Sequence, residues 1–385
     1  MLPRRGSILS MWRWSVLGLT SLACLLAVAL HARQSMPSLR CRGRCLRQGE
    51  TVILSWGVSG VVARFRGSAL AAEMEGLEPH NRWPNQFDVE LDGAPQPPID
   101  IGPGRQRLWL ARDLGPGAHS LRLTRRNEAL LGEVAVHRLL LGPEGAWLAP
   151  PPPLRRQIEV VGDSISAGYG NLGADARCHF SAATQDGARA YGPLAAAALG
   201  AEVSVIAYSG RGLWQNRDGS RAETMPVLYR RTLAERPAPL YQEEGTAPQA
   251  VVVNLGTNDF ATGPVDRPAF AAAAGDFLAE IRRRRPRASI WLTLGPMLSD
   301  RSPAGQNQLS AARALLQAAV AARHATGDGD VEFLEFAEQD GRLGFGCDYH
   351  PSLATHAAMA RQLSARIAAR LDWPHHPATK GHPKA

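Results

Sequence analysis

The chain has 385 residues, 45% hydrophobic and 20% charged, the balance of a soluble globular protein with room for two domains. Its formal net charge of +8 is carried by arginine, the only lysines being Lys380 and Lys384. No recognition motif accompanies that charge, which argues against a nucleic-acid partner, and the densest run, Arg282 to Arg285, ends a helix-like stretch, where the helix dipole favours cations.

Residues 1–36 read as a targeting segment. Arg4, Arg5 and Arg13 form a basic start, and Trp14 to Leu30 is an apolar run short for a membrane span. A cleavable signal ending near Ala27-Val28-Ala29 or Ala32 predicts a secreted or periplasmic protein with no membrane association after cleavage; a retained signal anchor is the alternative. With Cys24 inside that segment, Cys41, Cys45, Cys178 and Cys347 remain, an even number that permits two disulfides in an exported chain, by three possible pairings. Cys41 and Cys45 are close enough to close a small loop, and Cys178 and Cys347 lie near the motifs described below, so Cys41–Cys45 and Cys178–Cys347 are the candidate pairs. One close cysteine pair without a histidine pair does not make a zinc site, and no metal or other cofactor is expected.

Residues 40–148 read as a β-sandwich. Val52–Trp56, Val61–Phe65, Phe87–Leu91 and His119–Leu123 are short strand-like runs, with turn signals at Asp92-Gly93 and Gly115-Pro116-Gly117. The run Ala149 to Pro153 then marks a stiff linker. Residues 154–373 alternate strand-like and helix-like stretches. The strands are expected at Ile158–Val161, Val203–Ala207, Ala250–Leu255, Ser289–Leu294 and Val331–Phe336. The helices are expected at Ala188–Leu199, Ala269–Arg283, Gln308–His324 and Pro351–Leu371. Such alternation predicts a parallel sheet covered on both faces, an α/β domain. Residues 374–385 read as a disordered tail.

Four short blocks in the second half carry chemistry. Ser164 follows a strand in a turn opened by Gly162, where a hydroxyl is exposed at the carboxyl end of a parallel sheet. A serine needs a base, and His350, between the last strand and the last helix, is the candidate. His356 falls within the last helix and suits a packed or capping role, while His179 stands in a loop with no matching block. Acyl transfer also needs donors for the developing oxyanion, and the Gly210 amide and the Asn258 side chain are candidates. Asp163 and Asp259 fit turn and loop hydrogen bonding. Trp214 and Tyr349 are candidates for stacking on sugar rings, with ordinary packing as the alternative.

Gly162-Asp163-Ser164, Gly210, Gly256-Thr257-Asn258-Asp259 and His350-Pro351 resemble the four signature blocks of the SGNH or GDSL hydrolases. The stretches Gly162 to Gly170, Tyr208 to Gly212 and Gly346 to Pro351 resemble, more closely, carbohydrate esterase family 2. That resemblance implies an N-terminal jelly roll followed by an SGNH domain, and metal-free removal of O-acetyl groups from plant polysaccharides such as xylan or glucomannan. It implies Ser164 as nucleophile and His350 as base, with the Ser164 and Gly210 amides and the Asn258 side chain as the oxyanion hole. Most SGNH enzymes carry an aspartate three residues before the histidine, where this chain has Cys347. The resemblance therefore suggests a Ser–His dyad, with a backbone carbonyl near Asp348 holding the imidazole. An SGNH lipase or thioesterase, and a non-catalytic carbohydrate-binding protein, are the competing readings.

Overall fold

The computed structural model describes residues 39–78, 82–243 and 245–376. The expected targeting segment and most of the expected tail lie outside the described residues. Of the tail, His375 and His376 fold back: His375 Nε2 pairs with Ser364 Oγ at 2.9 Å and the His376 amide donates to the Ala198 carbonyl at 2.8 Å.

The first half packs two antiparallel sheets face to face. One sheet runs in the order β1 (Arg40–Arg42), β4 (Gly60–Arg66), β9 (Ala118–Arg125), β6 (Asn85–Leu91) and β7 (Ala94–Ile101), with β11 (Ala146–Leu148) also paired to β4. The other runs β2 (Leu46–Gln48), β3 (Thr51–Leu54), β10 (Val134–Leu141), β5 (Leu70–Gly76) and β8 (Gly104–Ala111). Alternation drives the packing: Phe87, Val89 and Leu91 of β6 point inward to meet Val52, Leu54, Val134 and Val136 from the facing sheet. The sequence reading missed β7, which contains Pro95, Pro97 and Pro98; an edge strand is where prolines are tolerated, because their missing N–H faces no partner.

The second half is one parallel sheet in the order β13 (Glu202–Ala207), β12 (Gln157–Gly162), β14 (Ala250–Asn254), β15 (Ser289–Leu294) and β16 (Val331–Glu335). The three central strands β12, β14 and β15 are almost wholly buried and rich in Val, Ile and Leu, as a sheet covered on both faces requires, while the edge strand β16 is partly exposed. Of its longer helices, α2 (Tyr191–Ala198) and α6 (Leu353–Leu371) share one apolar cluster, and α4 (Arg267–Arg284) and α5 (Gln308–Ala325) share another; the short α1 (Ser164–Ala167) and α3 (Met225–Leu228) complete the set. Gly162 pairs in register with Ala207 and with Asn254, so β12, β13 and β14 end side by side. The first strand lies between the second and third, and ligands of such sheets collect at the carboxyl ends, where the strand order reverses.

The arginine run closes α4 as expected, with Arg282, Arg283 and Arg284 in its last turn, and each arginine also pairs with a carboxylate. Arg282 pairs with Asp328, Arg283 and Arg284 with Glu280, and Arg285 with Glu159 and Glu243. The proline run is exposed and without regular structure, yet it is tethered: the Pro151 carbonyl accepts from Arg40 Nε at 2.8 Å.

Candidate active site

The site is built from three adjacent strand ends and the loop before α6. At the end of β12 a side chain on Gly162 would stand 2.1 Å from the Ser166 hydroxyl, so only glycine permits the immediate turn into α1. Asp163 caps that turn by accepting the Ile165 amide at 2.9 Å, and Ser164 is the first helical residue. Ser164 is 8% exposed, and its Oγ lies 2.9 Å from His350 Nε2.

The far side of the His350 ring meets only main chain. Nδ1 lies 3.2 Å from the Cys347 carbonyl and 3.2 Å from the Asp348 carbonyl. Both are acceptors, so Nδ1 carries the proton and Nε2 presents its lone pair to Ser164. Burial of the ring, opposed by these two contacts, pushes the His350 pKa down to about 4, which leaves the imidazole neutral over most of the pH range. The carbonyls converge because Asp348 and Tyr349 both take left-handed backbone conformations, with φ of 52° and 62°. For residues other than glycine this costs about 1–2 kcal/mol each, so the loop must be held from outside. The Cys178–Cys347 disulfide fixes one end. The Asp348 carboxylate, turned away from His350, accepts from Tyr169 Oη at 3.0 Å, His179 Nδ1 at 2.9 Å and the Phe180 amide at 3.1 Å. Burial raises the Asp348 pKa, but these donors outweigh it and hold it below the ordinary value. The Tyr169 ring lies against His350 with centroids 4.2 Å apart.

Opposite this loop runs the segment 208–217. Gly210 takes φ 81°, and a side chain there would meet nothing within 4 Å. Asn258 Nδ2 donates to the Arg211 carbonyl at 2.9 Å and more distantly to Asp163 at 3.3 Å. Asp259 accepts the amides of Leu213, Trp214 and Gln215. Burial pushes Asp163 up to about 7, with Ile165 opposing and Asp259 adding to it, and burial also raises Asp259.

The structure thus brings Ser164, His350, Asn258 and Asp348 into one cluster and places Gly210 on the facing loop. Trp214 is partly buried, with the Arg221 guanidinium 4.4 Å over its ring, whereas Tyr349 is 61% exposed beside His350. His356 is buried and its Nδ1 accepts the Tyr191 amide at 3.2 Å. Cys41 and Cys45 are bonded to each other, away from this cluster. Sequence reasoning missed three neighbours of the site. His179 looked isolated because its partner, Asp348, is 169 positions away. Tyr169 was legible as part of a motif but not as a ring on His350. Trp83, from the first half, stands edge-on to Phe180, which stacks on Tyr169. Among the described residues no group of three or more His, Cys, Asp or Glu side chains is placed to hold a metal ion.

Residues 160–358 match the GDSL-like lipase/acylhydrolase family, and residues 41–152 match the carbohydrate esterase 2 N-terminal family. The fold matches a family two carbohydrate esterase from Clostridium thermocellum, solved with cellohexaose, at 34% identity and a TM-score of 0.80, over 87% of this chain and 100% of that one. The chain belongs to carbohydrate esterase family 2. It is 35% identical over 319 residues to the cellulase/esterase CelE of Acetivibrio thermocellus, covering 83% of this chain but only 38% of that longer relative. It is 28% identical to an acetylxylan esterase/glucomannan deacetylase of Cellvibrio japonicus, over 88% of this chain and 90% of the relative. In this esterase the antiparallel two-sheet half is the part matched by the carbohydrate esterase 2 N-terminal family, and the parallel-sheet half the part matched by the GDSL-like family.

Proposed function

We propose that this esterase removes O-acetyl groups from a plant polysaccharide such as xylan or glucomannan by a Ser164–His350 dyad. The observation that carries the reading is the 2.9 Å contact of His350 Nε2 with Ser164 Oγ, while Nδ1 meets two backbone carbonyls. Ser164 Oγ attacks the acetyl carbonyl carbon as Nε2 takes its proton. The carbonyl oxygen becomes the oxyanion, facing the Ser164 and Gly210 amides and Asn258 Nδ2. One Asn258 hydrogen bonds the Arg211 carbonyl, which fixes the carboxamide plane, and the other, on the longer contact to Asp163, is the one offered to the oxyanion. The imidazolium then protonates the sugar oxygen as the C–O bond breaks, leaving an acetyl-serine. His350 next draws a proton from water, which attacks that ester, and returns it to Ser164 Oγ as the acyl C–O bond breaks and acetate leaves. Tyr349, exposed beside the base, is the sugar platform in this reading, and Trp214, covered by Arg221, lines the approach.

The competing lipase or thioesterase reading differs in acyl length. Acetate release from acetylated xylan and glucomannan, measured beside hydrolysis of acetyl and long-chain esters with Ser164→Ala as control, decides between them. Ser164-dependent activity confined to long chains removes the polysaccharide reading; polysaccharide binding without hydrolysis makes the protein a binding module. The reading also takes residues 40–148 and 154–373 as its two domains and residues 1–36 as an export signal, which N-terminal sequencing of exported protein tests. No helix among the described residues is long and apolar enough to cross a membrane.

A further inference from the structure

The chemistry so far uses only the parallel-sheet half. One carboxylate of the other half reaches it. β9 ends at Arg125, and Asn127 and Glu128 lead into a short turn at Ala129–Leu131. Arg125 is fully buried and donates to the carbonyls of Leu54, Asn127 and Glu128, at 3.2, 3.1 and 2.8 Å, which fixes the backbone of this corner. Glu128 is fully buried as well. Its Oε2 accepts the Ser209 amide at 2.8 Å and its Oε1 accepts the Ser209 hydroxyl at 2.6 Å. Gln185 Nε2 donates both to Glu128 Oε1 at 3.2 Å and to the carbonyl of Ala167, the last residue of α1, at 3.1 Å. A single side chain therefore grips the residue that carries the Gly210 amide and, through Gln185, the turn that carries Ser164.

We propose that Glu128 is a positioning residue for the oxyanion hole, so that the antiparallel half supplies part of the hydrolase machinery. The inference rests on the oxyanion reading of Gly210 and Asn258 given above. A carboxylate withdrawn from water is expensive unless charge-assisted hydrogen bonds compensate. Burial raises the Glu128 pKa, both donors of Ser209 and Gln185 Nε2 oppose that rise, and the two Ser209 bonds fix that residue's amide plane and its side-chain rotamer together. On the other side of Gly210, its carbonyl accepts the Arg217 amide at 2.8 Å. The Gly210 peptide is thus set between two anchors, and the place a Gly210 side chain would take is open. Simple adhesion between the halves does not require this contact. Trp56 Nε1 to the Thr232 carbonyl, Arg236 to Glu133 and Arg126 to Asp186 join the same halves without touching the loop.

Steady-state kinetics of the full chain on an acetyl ester, with melting temperatures, test this. Glu128→Gln turns an amide NH2 toward the donor of Gln185 or of Ser209, and it is expected to lower kcat about tenfold or more at nearly constant KM. That is less than the 10²–10³-fold expected when the Asn258 donor is deleted outright in Asn258→Ala. Ser209→Ala, which keeps the backbone amide, should lower kcat less than Glu128→Gln. The double variant should be little worse than Glu128→Gln alone, because both act through one contact. Arg236→Gln, which breaks a seam pair away from the loop, should lower Tm and leave kcat unchanged. Wild-type kcat in Glu128→Gln beside an impaired Asn258→Ala overturns the inference, as does an equal kcat loss in Arg236→Gln. Wild-type kcat in Asn258→Ala overturns the oxyanion reading instead. If Glu128→Gln does not fold, Ser209→Ala decides alone, with a lowered kcat in support and a wild-type kcat against.

Discussion

The two loops that face Ser164 differ in what touches the working group: neutral carbonyls at the base, buried carboxylates beside the oxyanion donors. The His350 loop is held by the Cys178–Cys347 disulfide and by the Asp348 carboxylate on its outer side, while only backbone carbonyls receive the imidazole N–H. The 208–217 loop is held by buried carboxylates, Glu128 on Ser209 and Asp259 on three successive amides. The difference follows from what each loop must present. A base must stay neutral until it takes the serine proton, and burial of the ring outweighs the upward pull of the two carbonyls that orient it. Oxyanion donors must point at a fixed position, so the amides around them are committed to buried acceptors, Ser209 to Glu128 and Leu213, Trp214 and Gln215 to Asp259.

The comparison is tested most severely at the residues both loops serve. Ser164→Ala and His350→Ala should each lower kcat on an acetyl ester by on the order of 10⁴-fold or more while the protein stays folded by circular dichroism. Near wild-type turnover in either variant would remove the dyad. Next in size is the covalent anchor. Replacing Cys178 and Cys347 together by Ser should lower kcat roughly 10–100-fold, the range expected when a base shifts by about 1 Å. A KM effect alone would show that the disulfide shapes the sugar cleft and not the base.

Smaller still is the response to acid. His350 has its pKa lowered to about 4 by burial, so the active neutral form persists below the ordinary histidine range. The kcat/KM of the free enzyme should therefore stay nearly level from pH 7 to about pH 5 and fall only as pH approaches 4. A half-maximal point near 6.5 would show that the ring is solvated in the working enzyme.

Much of the frame was legible because it follows from periodicity. Ser289–Leu294 coincides with β15, and Gln308–His324 falls one residue short of α5, since buried parallel strands and amphipathic helices leave strong local patterns. The first half was legible in kind but not in detail, as its proline-rich edge strand β7 breaks the usual strand composition. Ser164, Asn258 and His350 stand out because tight turns at strand ends restrict which residues fit. Glu128, Tyr169 and His179 do not, because each acts across the fold. The Glu128 contact joins positions 81 apart and the His179 contact positions 169 apart, and neither acid nor imidazole carries a local mark of its distant partner. The two roles of Asp348, carbonyl toward the base and carboxylate away from it, depend on a left-handed backbone that the sequence does not display.

That division within Asp348 is the central claim, and kcat of Asp348→Asn tests it most directly. Asparagine tolerates the left-handed backbone, keeps the carbonyl on His350 and removes only the charge received by Tyr169, His179 and the Phe180 amide. A loss of kcat within about tenfold is the predicted result, from a loosened loop. A loss near 10⁴-fold, the size seen when a triad aspartate is neutralised, would contradict it and make the Asp348 carboxylate the true orienting group of His350.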